Sequence, residues 1–170
     1  MTETTYFLEM TSPTQLVGGT ADPDEIVLRE VDASDAALVR ETYVRIGEPL
    51  GWTGRMAWSD ERWHDELDAD EVSAWLAVVH DELAGLVELD STADGDVGIV
   101  VLGLVPRFIG RGLGGRLLTM AVERAWSLRL GDSGQPRRVW VQTSSTDHPH
   151  ALPNYEARGF RIFRTESRDS

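Results

Sequence analysis

The stretch that decides the fold runs from Leu102 to Leu118 and reads L-G-L-V-P-R-F-I-G-R-G-L-G-G-R-L-L. The β-branched residues Val97, Ile99, Val100, Val101 and Val105 predict a buried strand leading into it. Leu113, Leu117, Leu118, Val122 and Trp126 follow at helical spacing and predict a helix from Gly112 to about Leu130. Between them Pro106 and a glycine-arginine turn end the strand. Gly110, Gly112 and Gly114 carry no β-carbons to hold a ligand off the backbone. The first amides of a helix lack partners and sit at the positive end of its dipole. A glycine-lined helix start after a strand is therefore an anion site, most often for phosphate. Arg107 and Arg111 add positive charge beside it.

Gly110, Gly112 and Gly115 also fit G-x-G-x-x-G, the dinucleotide-binding pattern. That pattern requires an acidic residue about 20 positions on, at the end of the next strand. The next strand expected here, Arg138 to Thr143, ends in Gln142 and Thr143 without a carboxylate. The dinucleotide reading is set aside on that ground.

The rest of the chain alternates strands and helices. Thr5–Met10 reads as a strand, followed by a polar loop from Thr11 through Asp24. Ile26–Val31 is a strand, and Asp32 or Ser34 caps a helix reaching about Ile46. A tryptophan- and glycine-rich loop covers 48–58, and Ser59 caps a short helix with Asp60 and Glu61 in its first turn. Val72–Val79 and Leu83–Leu89 form a hairpin about His80-Asp81-Glu82. Strand 138–143, helix Pro149–Arg158 and strand Phe160–Thr165 complete the pattern. The class is α/β or α+β with one mixed sheet. The chain divides into an N-terminal strand and loop (1–25), a main domain (26–165) and a polar tail (166–170).

With 170 residues, 41% hydrophobic, the chain suits one domain with a substantial core. It contains no cysteine, which excludes disulfides and thiolate nucleophiles. The opening residues lack a secretory pattern and no segment has the ~20 apolar residues that span a bilayer, so a soluble, cytoplasmic protein is expected. The net charge of −13 conceals a split: residues 1–100 carry −18 and residues 101–170 carry +5. A strongly acidic chain repels a phosphate backbone, which argues against nucleic-acid binding. The acidic half either solvates a surface or attracts a cationic partner.

Two segments together resemble the GCN5-related N-acetyltransferases, the GNAT superfamily. Arg107-Phe108-Ile109-Gly110-Arg111-Gly112 is similar to the family signature R/Q-x-x-G-x-G/A. Ala151-Leu152-Pro153-Asn154-Tyr155-Glu156-Ala157-Arg158-Gly159-Phe160 is similar to its A-x-x-x-Y-x-x-x-G-F segment, at the expected distance. The resemblance covers about Ile26 to Arg164, and Asp147-His148-Pro149 resembles an uncharacterised bacterial subgroup.

That resemblance implies a single-domain, GNAT-like acyl-CoA N-acyltransferase fold. It implies acetyl-coenzyme A (acetyl-CoA) as co-substrate, no metal, and direct acetyl transfer to a small amine. The coenzyme's pyrophosphate would be gripped by Arg107, Gly110, Arg111, Gly112, Leu113 and Gly114, and its pantetheine arm by backbone groups of Leu104 and Val105. Tyr155 matches the family's general acid: a phenol of pKa about 10 can protonate a thiolate of pKa about 8.5. His148 stands where relatives often have asparagine and is expected at the coenzyme, with Asp147 as the alternative, a helix cap. Gly98 replaces the glutamate that serves many relatives as base, which leaves Glu88 or Asp96 as substitutes, Glu88 preferred. Trp52, Arg55 and Trp58, with Trp63, lie where the family builds its acceptor wall, and such a cluster can enclose a flat or cationic ligand.

Other readings stay open at this point. They are a longer acyl donor or hydroxyl acceptor, and a non-catalytic acyl-CoA sensor or interaction module. Relatives carry one strand more than remains after Gly159 here. Thr5–Met10 is expected to supply it at the C-terminal side of the sheet, within the chain or exchanged across a homodimer.

Overall fold

The computed structural model describes residues 2–19, 25–130 and 134–169. Its strands are β1 (Thr2–Met10), β2 (Ile26–Val31), β3 (Val72–Val79), β4 (Glu82–Ser91), β5 (Asp96–Leu104), β6 (Arg138–Ser144) and β7 (Arg161–Asp169). Its helices are α1 (Ala36–Gly47), α2 (Asp60–Asp68), α3 (Leu113–Trp126) and α4 (Ala151–Ala157). The strands form one sheet in the order β2-β3-β4-β5-β6-β1-β7. Every neighbouring pair is antiparallel except β5 and β6. Helices α1 and α2 pack together against β3 and β4, while α3 packs against β5 and β6 and meets α4. This is a mixed α/β domain, as the sequence pattern implies.

Local chemistry explains most boundaries. The Asp32 carboxylate accepts from the Ser34 amide and opens a short turn that runs into α1. Ser59 Oγ accepts from the Arg62 amide and starts α2. His80 and Asp81 take φ of +48° and +64°, the left-handed pair that a two-residue hairpin turn between β3 and β4 demands. Helix α3 stops at Trp126, short of the expected Leu130, because the Ser127 hydroxyl donates back to the Glu123 carbonyl and closes the last turn. Helix α4 begins at Ala151 rather than Pro149.

Two corrections concern the ends of the sheet. Strand β1 is longer than the expected Thr5–Met10 and lies between β6 and β7 within the same chain. Leu8 and Met10 are fully buried there. The segment read as a polar tail is the second half of β7, which pairs with β1 as far as Thr2 opposite Asp169. Side chains along β7 are exposed, so polar residues cost nothing in that edge ladder and leave no apolar alternation to read. The last five residues of the expected loop Thr11–Asp24, and Ser170 of the expected tail, lie outside the described residues.

The feature that positions the site is a parting of strands. Glu88 pairs with Val101 and Leu89 with Ile99, so Val100 is an extra residue bulged out of β5. A bulge bends its strand and sharpens the twist. Strand β6 pairs with β5 only from Asp96 to Ile99, whereas β5 continues to Leu104 and β6 to Ser144. Beyond the bulge the two strands diverge, and the side of β5 that faced β6 has no strand partner among the described residues.

Candidate functional site

A cavity of about 450 Å³ occupies this divergence. Leu102, Gly103 and Leu104 of β5 line one side; Gly110, Gly112, Gly114 and Gly115 line the mouth. Asp147, His148, Asn154 and Tyr155 line the β6–α4 side, and Ile46, Leu50 and Trp52 close the remaining wall. Gly110 and Gly112 have φ of +84° and +77°, and a β-carbon at either would meet open space. The dihedrals are those that glycine adopts without strain, and the open space leaves the backbone accessible from the cavity. Gly112 is the N-cap of α3 and offers no side chain to its first amides. Those amides therefore face the cavity mouth with the positive end of the dipole behind them.

The residues expected to hold the coenzyme divide into two groups. Leu104, Gly110, Gly112, Gly114 and His148 line the cavity; Val105, Arg107, Arg111 and Leu113 do not. The Val105 amide donates to Ala84 O at 2.8 Å and is thereby engaged, while its carbonyl already accepts from Phe108 N at 2.9 Å. The Leu113 side chain is fully buried, leaving only its backbone at the helix start. Arg107 is 64% exposed and pairs with Glu82 at 2.5 Å. Arg111 lies over the Phe108 ring at 5.2 Å. Both arginines belong to the rim.

Tyr155 is buried against Phe160, the two rings edge to face with centroids 6.0 Å apart. Among the described residues no group bonds its hydroxyl, which belongs to the cavity lining. Burial, and the Asp147 charge after it, push the phenol well above its ordinary pKa. The hydroxyl is thus a protonated donor without a fixed partner.

The structure takes Glu88, Arg55 and Trp58 out of this cavity. Glu88 is fully buried, and its carboxylate accepts from Arg55 Nη1 at 3.0 Å and Nη2 at 2.8 Å. Arg55 also pairs with Glu66 at 3.3 Å and lies 4.5 Å from the Trp58 ring and 5.0 Å from the Trp63 ring. Burial pushes the Glu88 carboxyl up to about 7, against the pull of the Arg55 guanidinium. Glu88 is not among the residues that line the cavity; its contacts fasten the loop after α1 to β4. Trp63 is fully buried, Trp58 packs edge-on against it at 5.2 Å, and Tyr43 stacks between Trp52 and Trp63 at 5.4 Å from each. Of the tryptophan cluster, Trp52 is the member that lines the cavity.

Asp147 is not the helix cap that its position suggested: α4 has no side-chain cap, and its N-cap is His150. Its Oδ2 accepts from Thr143 Oγ1 at 2.8 Å and from Ser144 N at 2.9 Å, while Oδ1 accepts from Trp52 Nε1 at 3.0 Å. Asn154 and His150 are polar lining residues that carry no signal in the sequence pattern. Asn154 sits one position before Tyr155, with its amide nitrogen 3.8 Å from where a Gly114 β-carbon would be.

Residues 38–160 match the Acetyltransferase (GNAT) family, and the chain belongs to that family. No curated protein matches the sequence. Among solved structures it is similar to a functionally unknown conserved protein from Staphylococcus epidermidis ATCC 12228, at 13% identity and a TM-score of 0.68. That match covers 98% of this chain and 60% of the other. It is similar to a GCN5-related N-acetyltransferase from Kribbella flavida at 14% identity and TM-score 0.65, covering 96% and 56% of the two chains. One from Sphaerobacter thermophilus gives 20% identity and TM-score 0.64, covering 96% and 49%. The chain thus spans about half to three fifths of the length of these neighbours, and the likeness is one of fold.

Proposed function

We propose that the protein is a cytoplasmic acetyltransferase that moves an acetyl group from acetyl-CoA directly to a small amine, with Tyr155 as the general acid. The observation that carries this reading is the continuity of one cavity. It runs from the unpaired edge of β5 at Leu102–Leu104, past the uncapped glycine start of α3, to the unpartnered hydroxyl of Tyr155. An extended thiol-bearing arm that ends in a pyrophosphate fits those groups in that order, as an added strand followed by an anion at a helix start.

Bound acetyl-CoA supplies the acetyl group already activated as a thioester. The α3 amides bind its phosphates, and the free edge of β5 orients its arm. Tyr155 keeps its proton on Oη at neutral pH and holds it for a departing thiolate. Asp147, His148, His150 and Tyr155 are the ionisable residues of the lining, and no arginine is among them. With a carboxylate and no arginine or lysine in that lining, neutral or cationic amines are the acceptor class. With Glu88 held by Arg55, the acceptor enters as the free amine or gives its proton to water.

The test is thiol release from acetyl-CoA across a panel of polyamines, aromatic amines and amino acids. Amine-dependent release with a preference for non-acidic acceptors is expected. Tight coenzyme binding with no turnover on any amine would replace the enzyme by a sensor, and preference for dicarboxylic amino acids would overturn the acceptor class.

A further inference from the structure

Trp52 spans the gap where β5 and β6 part. Its indole rests in a slot made by two glycines. A β-carbon on Gly47, at the end of α1, would lie 2.7 Å from Trp52 Cε3, and one on Gly103 of β5 would lie 3.5 Å from Cη2. The Trp52 amide donates to the Gly47 carbonyl at 3.0 Å, which fixes the backbone at that point. From this slot the indole N–H reaches Asp147, beyond the end of β6, and the other Asp147 oxygen is held by Thr143 and Ser144. One side chain thus touches β5 and is hydrogen-bonded to the segment after β6, at the level of the cavity where those strands no longer touch.

We propose that Trp52 and Asp147 form a strap across the wide end of the strand gap, with Asp147 as the positioning residue, and that the strap shields the acetyl thioester from water while leaving the coenzyme's binding groups untouched. This rests on the acetyl-CoA reading given above. A half-buried carboxylate with three donors is held in one geometry, and the indole it orients is a rigid apolar wall. Loosening the wall admits water to the reacting centre. The water oxygen then bonds the acetyl carbon, the carbon–sulfur bond breaks, and acetate and free thiol leave with the water's protons.

The test compares Trp52→Phe, which keeps an aromatic ring but removes the donor and the outer part of the indole that reaches Gly103, with Asp147→Asn and with the double variant. Two readouts are taken on protein with a wild-type unfolding profile: calorimetric affinity for coenzyme A, and thiol release from acetyl-CoA with no amine present. Coenzyme A affinity within threefold of wild type is expected in all three variants. Amine-free thiol release is expected to rise at least fivefold in each single variant, and the double variant should not exceed the larger single effect. Should Asp147→Asn fail to fold, Trp52→Phe alone decides the matter. Unchanged thiol release, additive effects, or a tenfold loss of coenzyme A affinity in Trp52→Phe would each overturn the strap. Failure of the wild-type protein to bind coenzyme A would overturn the functional reading itself, and this inference with it.

Discussion

Trp140 fills the space that a side chain at position 98 would need. The two residues face each other across β5 and β6, and a β-carbon on Gly98 would lie 2.8 Å from the indole Cε2 and Cζ2 and 3.0 Å from Nε1. A side chain at position 98 is thus opposed by an aromatic neighbour.

Replacing Gly98 by alanine forces Trp140 or the strand to shift and should destabilise the domain by about 1–3 kcal/mol. Urea unfolding measures this. Adding Trp140→Leu should recover part of the loss, and strict additivity of the two substitutions would show that the contact is not the cause.

Gly112→Asp places a side chain and a negative charge at the uncapped start of α3, at φ +77°. Coenzyme A affinity should fall at least tenfold, about 1.4 kcal/mol. Calorimetry on folded protein decides it, and wild-type affinity would remove this loop from the phosphate site.

Tyr155→Phe removes only the hydroxyl, which has no partner among the described residues. Stability should therefore stay within about 0.5 kcal/mol of wild type, while kcat with an amine acceptor falls about a hundredfold. A mutant with unchanged kcat, measured where chemistry limits the rate, would exclude the phenol as acid.

Glu88 gives a pH signature. Its carboxyl is raised in the folded protein to about 7, so the folded state binds the extra proton. That contribution is fully present below the unfolded pKa of a glutamate and is lost as pH rises toward 7. The wild type should therefore lose stability relative to Glu88→Gln between pH 4.5 and 7.5, by on the order of 3 kcal/mol at most. Urea unfolding at both pH values is the check, and a gap that stays constant or moves the other way would show that the Arg55 pairing dominates.

Leu8 tests the place of β1. It is fully buried on the strand next to the sheet's edge, and Leu8→Ala should cost about 2–5 kcal/mol. A melting temperature unchanged from wild type would mean that β1 contributes little to the sheet.

The glycine loop, the tyrosine segment and the hairpin were legible because each rests on local chemistry: φ above zero, helical spacing, a two-residue turn. The N-terminal strand was legible for a different reason, since a buried sheet position left unpaired is too costly to exist. What the sequence hid was long-range pairing. Nothing near Glu88 announces that Arg55, 33 positions earlier, closes on it. Asp147 read as a helix cap because its bond to Trp52, 95 positions away, has no local signature. The exposed second half of β7 read as a tail because a strand with both faces in water shows no alternation.

The pairing of β1 with β7 also sets an order of events. Thr2 and Asp169 are 167 positions apart, yet the Thr2 hydroxyl donates to the Asp169 carboxylate at 2.7 Å. On a ribosome, residues 2–10 emerge before β6 and β7 and must wait for both strands before the hydrogen bonds on either side of them exist. Loop closure over such a distance is paid before any contact rewards it, which slows folding. The apolar edge of Leu8 and Met10 stays open until those strands arrive. Until then this strand is exposed to aggregation, and a chaperone that binds short apolar segments would find a target in it.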